Sequence, residues 1–158
     1  MDYRKKDYYF GAALVAFLKK NKGSKPSLLE DWEDENTSCY QMTTDSLNEF
    51  RILMKYSVSN NSNWQFKLTD KERTLIEESI ASGKKMFFFF ICSKGEFDIA
   101  SIAVLTLSQM QTILHKTNFT IKPNSPGRLR TFCIPTCGAE PLLIPSNRIE
   151  DDLANIKD

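Results

Sequence analysis

The stretch Lys85-Met86-Phe87-Phe88-Phe89-Phe90-Ile91-Cys92 constrains the fold more than any other in this chain. It shows none of the period-two alternation of a strand with one wet face, so it reads as a strand buried on both faces. Left exposed, four consecutive Phe would template aggregation. The run is therefore expected at the centre of a sheet.

The flanking sequence supplies the other elements. Phe10, Ala13, Leu14, Phe17 and Leu18 follow the spacing of a buried helical face, which predicts a helix over Tyr3 to Lys20. Lys19, Lys20 and Lys22 suit its C-terminal dipole, Gly23 offers a stop, and Tyr8-Tyr9 is placed at the edge of the core. Asn21 to Ser38, with Pro26 and the acidic run Glu30 to Glu35 around Trp32, reads as a long solvated connection, or as an acidic binding loop anchored by Trp32. A strand over Cys39 to Thr44 follows, then the turn Asp45 to Asn48.

Glu49 to Leu68 alternates on both sides of the polar turn Val58 to Asn63 and predicts a β-hairpin. Thr69-Asp70-Lys71-Glu72 is a capping box opening a helix whose inner face is Leu75, Ile76, Ser79 and Ile80, with Gly83 ending it. After the Phe-rich strand come a strand over Phe97 to Ala103 and a second capping box, Thr106 to Gln109, with Leu105 and Met110 set for a hydrophobic staple. That helix runs to about His115. Short strands are expected over Phe119 to Lys122 and Arg130 to Ile134, and the segment after Pro145 reads as a polar tail that frays into a short helix. The order predicts the α/β class, an α+β arrangement on a mixed sheet. One domain is expected over 1–145, with a polar C-terminal tail over 146–158.

At 158 residues with 41% hydrophobic content, the chain suits a single globular core rather than a disordered segment. The net charge of +1 argues against a dedicated, strongly basic nucleic-acid binder, but the charge is segregated. Met1 to Lys25 carries seven Lys/Arg and two Asp, Pro26 to Phe50 seven acids and no Lys/Arg, and Ile99 to Ala139 four Lys/Arg and no acid. Such a pattern permits a local basic surface or attraction between the acidic and basic parts. The spacing of Cys133 and Cys137 is not that of a zinc knuckle, and Cys39 and Cys92 fall in predicted strands, so the four thiols read as structural and no metal is assigned. The apolar run Gly11 to Leu18 is too short for a membrane span and is closed by Lys19-Lys20, so a cytoplasmic protein without membrane contact is expected.

The candidate site lies on the predicted hairpin. Phe50, Ile52, Met54 and Tyr56 share one side of its first run, with Trp64, Phe66 and Leu68 sharing a side of the second. Opposite them stand Arg51, Leu53, Lys55 and Ser57, with Gln65 and Lys67, so basic, amide and hydroxyl groups gather on one surface.

Gly11-Ala12-Ala13-Leu14, Lys55-Tyr56-Ser57, Trp64-Gln65-Phe66 and Ile91-Cys92 together resemble an uncharacterised family of small bacterial proteins. That family has a GAAL-type helix, an I-K-Y-S strand, a W-x-F strand and a strand ending in Val-Cys, with a basic stretch near the C-terminus that Arg128-Leu129-Arg130 matches in place. The turn Val58 to Asn63 departs from the family's basic, Pro-containing one. The resemblance implies a fold and a shared polar surface, and no activity.

The element order α-β-β-β-α-β is also similar to the core of the restriction-endonuclease-like fold. Nucleases of that fold need an acidic residue on one strand and an acid-x-Lys triplet on the next, the carboxylates holding Mg²⁺ and the Lys orienting the attacking water. Here the triplets are Gln65-Phe66-Lys67 and Leu53-Met54-Lys55, with Asp45 and Glu49 as nearby acids. The catalytic candidates are accordingly Lys55, Lys67, Asp45 and Glu49, in a degenerate motif, and Mg²⁺ is expected only if the chain is a nuclease. The phosphate-contacting candidates are Arg51, Ser57, Gln65, Arg128 and Arg130, with Lys55 and Lys67, while Trp64 or Tyr56 would stack on bases if exposed and are otherwise core.

Two functional expectations follow. One is a nucleic-acid-binding or degenerate nuclease-like domain, in a setting such as phage defence or a mobile element. The other is a non-catalytic protein-interaction subunit that uses the acidic loop and the Tyr8-Tyr9 helix end. A homodimer through an open edge strand is compatible with either.

Overall fold

The computed structural model describes residues 4–32, 37–45, 48–125, 128–136, 140–151, 153 and 156. In chain order these form α1 (Lys5–Lys20), β1 (Lys25–Trp32), β2 (Thr37–Thr43), β3 (Glu49–Val58), β4 (Trp64–Lys67), α2 (Asp70–Ala81) and β5 (Met86–Gly95). Then come β6 (Asp98–Thr106), α3 (Leu107–Ile113), β7 (Asn118–Ser125), β8 (Arg128–Ile134), β9 (Leu142–Pro145) and a 3-10 turn, Arg148–Glu150. Five strands make a mixed sheet in the order β1-β2-β3-β5-β6, and four make a second sheet, β4-β7-β8-β9. β1, β2 and β3 form an antiparallel meander, while β5 returns parallel to β3 after the chain has passed through β4 and α2. The class is mixed α/β with a single domain, as the sequence predicts.

Alternate residues of β5 pack into two separate clusters. Phe87, Phe89 and Ile91 meet Tyr9, Phe10, Ala13 and Phe17 of α1, together with Ile52 and Met54 of β3. Phe88, Phe90 and Cys92 meet Leu53, the α2 residue Ile76, and Trp64, Phe66 and Phe119 of the second sheet. The ring of Phe66 lies 4.9 Å from Phe90 and 5.8 Å from Phe119, so aromatic contacts join the two sheets. Helix α1 covers one face of the five-stranded sheet, and α2, α3 and the second sheet cover the other. β5 is interior, between β3 and β6, but the middle strand is β3. The dryness of the Phe run comes from the layers above and below it.

Both capping boxes form. Thr69 accepts from the Glu72 N–H, and Thr106 from the Gln109 N–H. Leu105 and Met110, the expected staple, are fully buried in one cluster.

Two sequence expectations are corrected. First, Glu49–Leu68 is not a hairpin, because both edges of β3 are taken by β2 and β5, and β4 pairs instead with β7. The polar segment between them carries the chain from one sheet to the other; the Ser59 N–H donates to the Ser93 carbonyl, and so does the Trp64 indole at 2.8 Å. Second, Asn21 to Ser38 contains the edge strand β1 rather than being loop throughout. Positions 33–36 of the acidic run lie outside the described residues. The polar segment after Pro145 carries the 3-10 turn Arg148–Glu150, and part of it is docked. Arg148 donates to the Val104 carbonyl and to Gln109 Oε1, and Leu153 is fully buried, its N–H held by Asn21 Oδ1.

Among the described residues no helix is long and apolar enough to cross a membrane. Cys39, Cys92 and Cys133 are free and buried; Cys137 lies outside the described residues. Burial pushes the Cys39 thiol up to about 12, against the downward pull of Arg51, and pushes Cys92 up as well.

Two measurements test this packing. Phe88 and Phe89 both have no exposure, so Phe88→Ala and Phe89→Ala should each cost ~3–5 kcal/mol in urea unfolding. A large loss at only one of them would mean that β5 has a single dry face. Unfolded thiols ionise near pH ~8.5, whereas the buried pair keeps its protons. Stability should therefore decline as pH rises past that value, and iodoacetamide should reach Cys39 and Cys92 only once denaturant opens the fold.

Candidate functional site

Alternation sends Glu49, Arg51, Leu53, Lys55 and Ser57 of β3 to one face of the sheet, as the sequence predicts. That face is covered by α2, which decides what these side chains do. Lys55 is only 7% exposed, and its Nζ donates to Glu72 Oε1 at 2.5 Å and to Thr37 Oγ1 at 2.8 Å. Thr37 Oγ1 in turn donates to the same carboxylate oxygen at 2.6 Å. The other oxygen of Glu72 closes the α2 capping box by accepting from the Thr69 N–H. One carboxylate thus starts a helix and neutralises a buried lysine, and it ties β2, β3 and α2 together.

The remaining candidates are dispersed. Gln65 and Lys67 are exposed on β4, opposite Thr120 and Asn118 of β7, in the other sheet from Lys55. They do not share a surface with β3 as a hairpin would require. Ser57 is half-buried opposite Cys92. Asp45 is exposed beside Gly23, whose φ of +86° is a conformation that L side chains rarely adopt, and a side chain there would also displace the Asp45 carboxylate. Trp64 is fully buried, while Tyr56 is half-buried and stacked on Tyr9 at 4.4 Å. Arg128 and Arg130 belong to β8 by backbone, and their side chains lie outside the described residues. Among the described residues no group of three or more His, Cys, Asp or Glu is placed to hold a metal ion.

The structure does bring Arg51 and Glu49 into one cleft, with residues that the sequence reading passed over. This cleft, of about 270 Å³, is lined by Gln41, Glu49, Phe50 and Arg51 from the sheet and by Gly83, Lys84 and Lys85 from the α2–β5 connection. Its two walls are placed by backbone geometry. Gln41 and Arg51 are cross-strand partners, and the Arg51 N–H donates to the Lys85 carbonyl at 3.0 Å. On the other wall α2 ends in a Schellman motif: the Gly83 N–H donates to Ile80 O and the Lys84 N–H to Ser79 O, with Gly83 at φ +67°.

Arg51 is held from below. Its Nη1 donates to Ser79 Oγ at 3.2 Å, while its Nε is buried without a hydrogen-bond partner among the described residues. Lys85 lies over the Phe87 ring at 5.6 Å. Three cations face one carboxylate, Glu49, so the cleft carries a local charge excess of +2 at neutral pH (three minus one).

The basic part of the N-terminal sequence reaches the same end of the sheet. Phe17, near the C-terminus of α1, packs its ring 6.0 Å from Phe50 at the start of β3. Gly23 touches Asp45, and Lys25 pairs with Thr43, itself the partner of Glu49. Lys19, Lys20, Lys22 and Lys25 therefore border the end that holds the cleft. Asp70, Glu96 and Asp98 lie towards the opposite end, at the start of α2 and the β5–β6 turn, where Lys5 at the start of α1 pairs with Glu96. The sequence signal for the cleft was present as two lysines directly after a helix-ending glycine.

Comparison with protein-family models, curated proteins and solved structures finds no match. Most of the motif residues noted in the sequence do packing work: Ala13, Trp64, Ile91 and Cys92 have no exposure, and Lys55 is in the ion pair.

Removing one member of the buried pair strands the other. Lys55→Ala should lose ~3–5 kcal/mol in chemical denaturation, and the double variant Lys55→Met with Glu72→Leu should regain most of it. A loss from Lys55→Ala no larger than that of an exposed lysine would show that solvent screens the pair.

Proposed function

We propose that this chain is a nucleic-acid-binding module that grips the phosphate backbone at its basic end and does not cleave it. The observation that carries this reading is the cleft where Arg51, Lys84 and Lys85 converge on space for an anion. Arg offers a planar fork suited to phosphate oxygens and Lys a mobile point charge, a combination that binds backbone without reading sequence. The half-exposed Gln41 adds a neutral donor on the sheet side.

The non-cleaving part of the proposal rests on Lys55. An acid-x-Lys nuclease needs its lysine beside the attacking water, and here that lysine spends its hydrogen bonds on Glu72 and Thr37. Lys67, the other triplet lysine, stands in a different sheet from Glu49.

Fluorescence anisotropy with labelled single- and double-stranded DNA and RNA tests the proposal. With three phosphates contacted, affinity should fall roughly fortyfold between ~50 and ~200 mM salt, following a slope of about 0.9 per contact. Lys84→Ala with Lys85→Ala should weaken binding to all sequences alike and flatten that slope by about two, while Lys67→Ala should leave it unchanged. Mg²⁺ should produce no cleavage beyond the EDTA control. Absence of binding to every probe at low salt would overturn the proposal. It would turn attention to a protein-interaction role at the groove lined by Tyr8, Gly11, Ala12, Val15 and Ile149.

A further inference from the structure

β1 is an outer strand of the five-stranded sheet, and every residue from Lys25 to Glu30 is exposed. Leu28 is 56% exposed and Leu29 37%, which is unusual for leucines on a strand that already has β2 as a partner. An open edge of this kind is a template for main-chain pairing. What pairs with it can be read from the strand itself.

Its charges are polarised, with Lys25 at the start and Glu30 five residues on. Register also assigns the faces. Lys25 lies opposite Thr43 and Glu30 opposite Cys39, which belongs to the α2-side cluster, so both charges share the α2 face. Pro26 lies opposite Met42 and Leu28 opposite Tyr40, both of the α1-side cluster, so these two share the other face. Leu29 falls where the register shifts and has no partner in β2.

We infer that β1 pairs antiparallel with β1 of a second copy, continuing the sheet across a two-fold axis at Ser27. Passing over the bulged Leu29, this register sets Lys25 of each copy against Glu30 of the other, and Pro26 against Leu28. Both opposite-charge pairs fall on the α2 face and both apolar pairs on the α1 face, so the strand is complementary to itself. A parallel arrangement would instead set Lys25 against Lys25 and Glu30 against Glu30.

Pro26 lacks an N–H and the bulge interrupts the ladder, so each strand forgoes part of the hydrogen bonding. These features restrict the edge to a short, in-register partner. The result is a small interface and a reversible dimer rather than an open fibre.

Sedimentation velocity from low micromolar to near-millimolar protein at low salt tests the inference. The wild-type chain should pass from monomer to dimer, with a dissociation constant that rises with salt. Lys25→Glu and Glu30→Lys, each alone, introduce two like-charge contacts and should weaken the dimer by roughly tenfold or more. An equimolar mixture of the two single variants should dimerise again, and so should the double variant, because both restore opposite charges across the axis. All these positions are exposed, and far-UV circular dichroism verifies that each variant is folded. A wild-type chain that stays monomeric throughout overturns the inference. A dimer indifferent to both single variants, or one that the mixture fails to restore, overturns it too, because its interface lies elsewhere.

Discussion

A strand that is dry on both faces cannot exist without two covering layers, and most of this structure can be derived from that requirement on β5. Phe87 and Phe89 need an apolar surface on one side, which α1 provides with Tyr9, Phe10 and Phe17. Phe88 and Phe90 need another, and a single helix as short as α2 cannot supply it. The second sheet does so through Trp64, Phe66 and Phe119. β4 is therefore drawn away from β3, although the two are neighbours in sequence. Its alternation of buried Trp64 and Phe66 with exposed Gln65 and Lys67 is what a lid strand over an aromatic core requires. The parallel pairing of β3 with β5 follows, since the chain must cross over through β4 and α2 before it returns.

Covering the second face also decides the chemistry of β3. Lys55 sits on a face that would be wet in an isolated hairpin, but α2 closes over it. A buried ammonium without a partner would be too costly, and Glu72 is the carboxylate in reach. Arg51, four residues nearer the sheet's end, escapes full burial because α2 stops at Gly83. The same face thus carries a structural cation and an available one, and the length of α2 separates their roles.

Local signals in the sequence were legible where the physics is local. The capping boxes at Thr69 and Thr106, the α1 stripe and the double-sided burial of the Phe run depend on residues within a turn or two of one another. Partner choice is not local. Alternation in Glu49–Val58 and Trp64–Lys67 identifies two strands and their inner faces, but it contains nothing about which strand each will join. β1 was hidden for a different reason: with Lys25 to Glu30 all exposed, neither face is dry, so no period of two is written into it. The candidate site was half legible. Arg51 and Glu49 fall on the expected face, whereas Lys84 and Lys85 join them only because a Schellman turn folds back toward the sheet.

The segregation of charge along the chain takes its meaning from topology. A basic N-terminal segment followed by an acidic one would cancel in a fold that laid them side by side. Here α1 ends and β1 begins at the same end of the sheet, so Lys19, Lys20, Lys22 and Lys25 accumulate there, and the first acid of β1, Glu30, comes only midway along the sheet, opposite Cys39. At the lysine end they outnumber the described acids Asp45 and Glu49, so a net charge of +1 hides a local basic surface, while at the other end Lys5 of α1 is paired with Glu96. Because the two surfaces sit on different elements, the cleft between α2 and β3 and the outer side of β1, a dimer through β1 would leave both clefts open at opposite ends of the continued sheet.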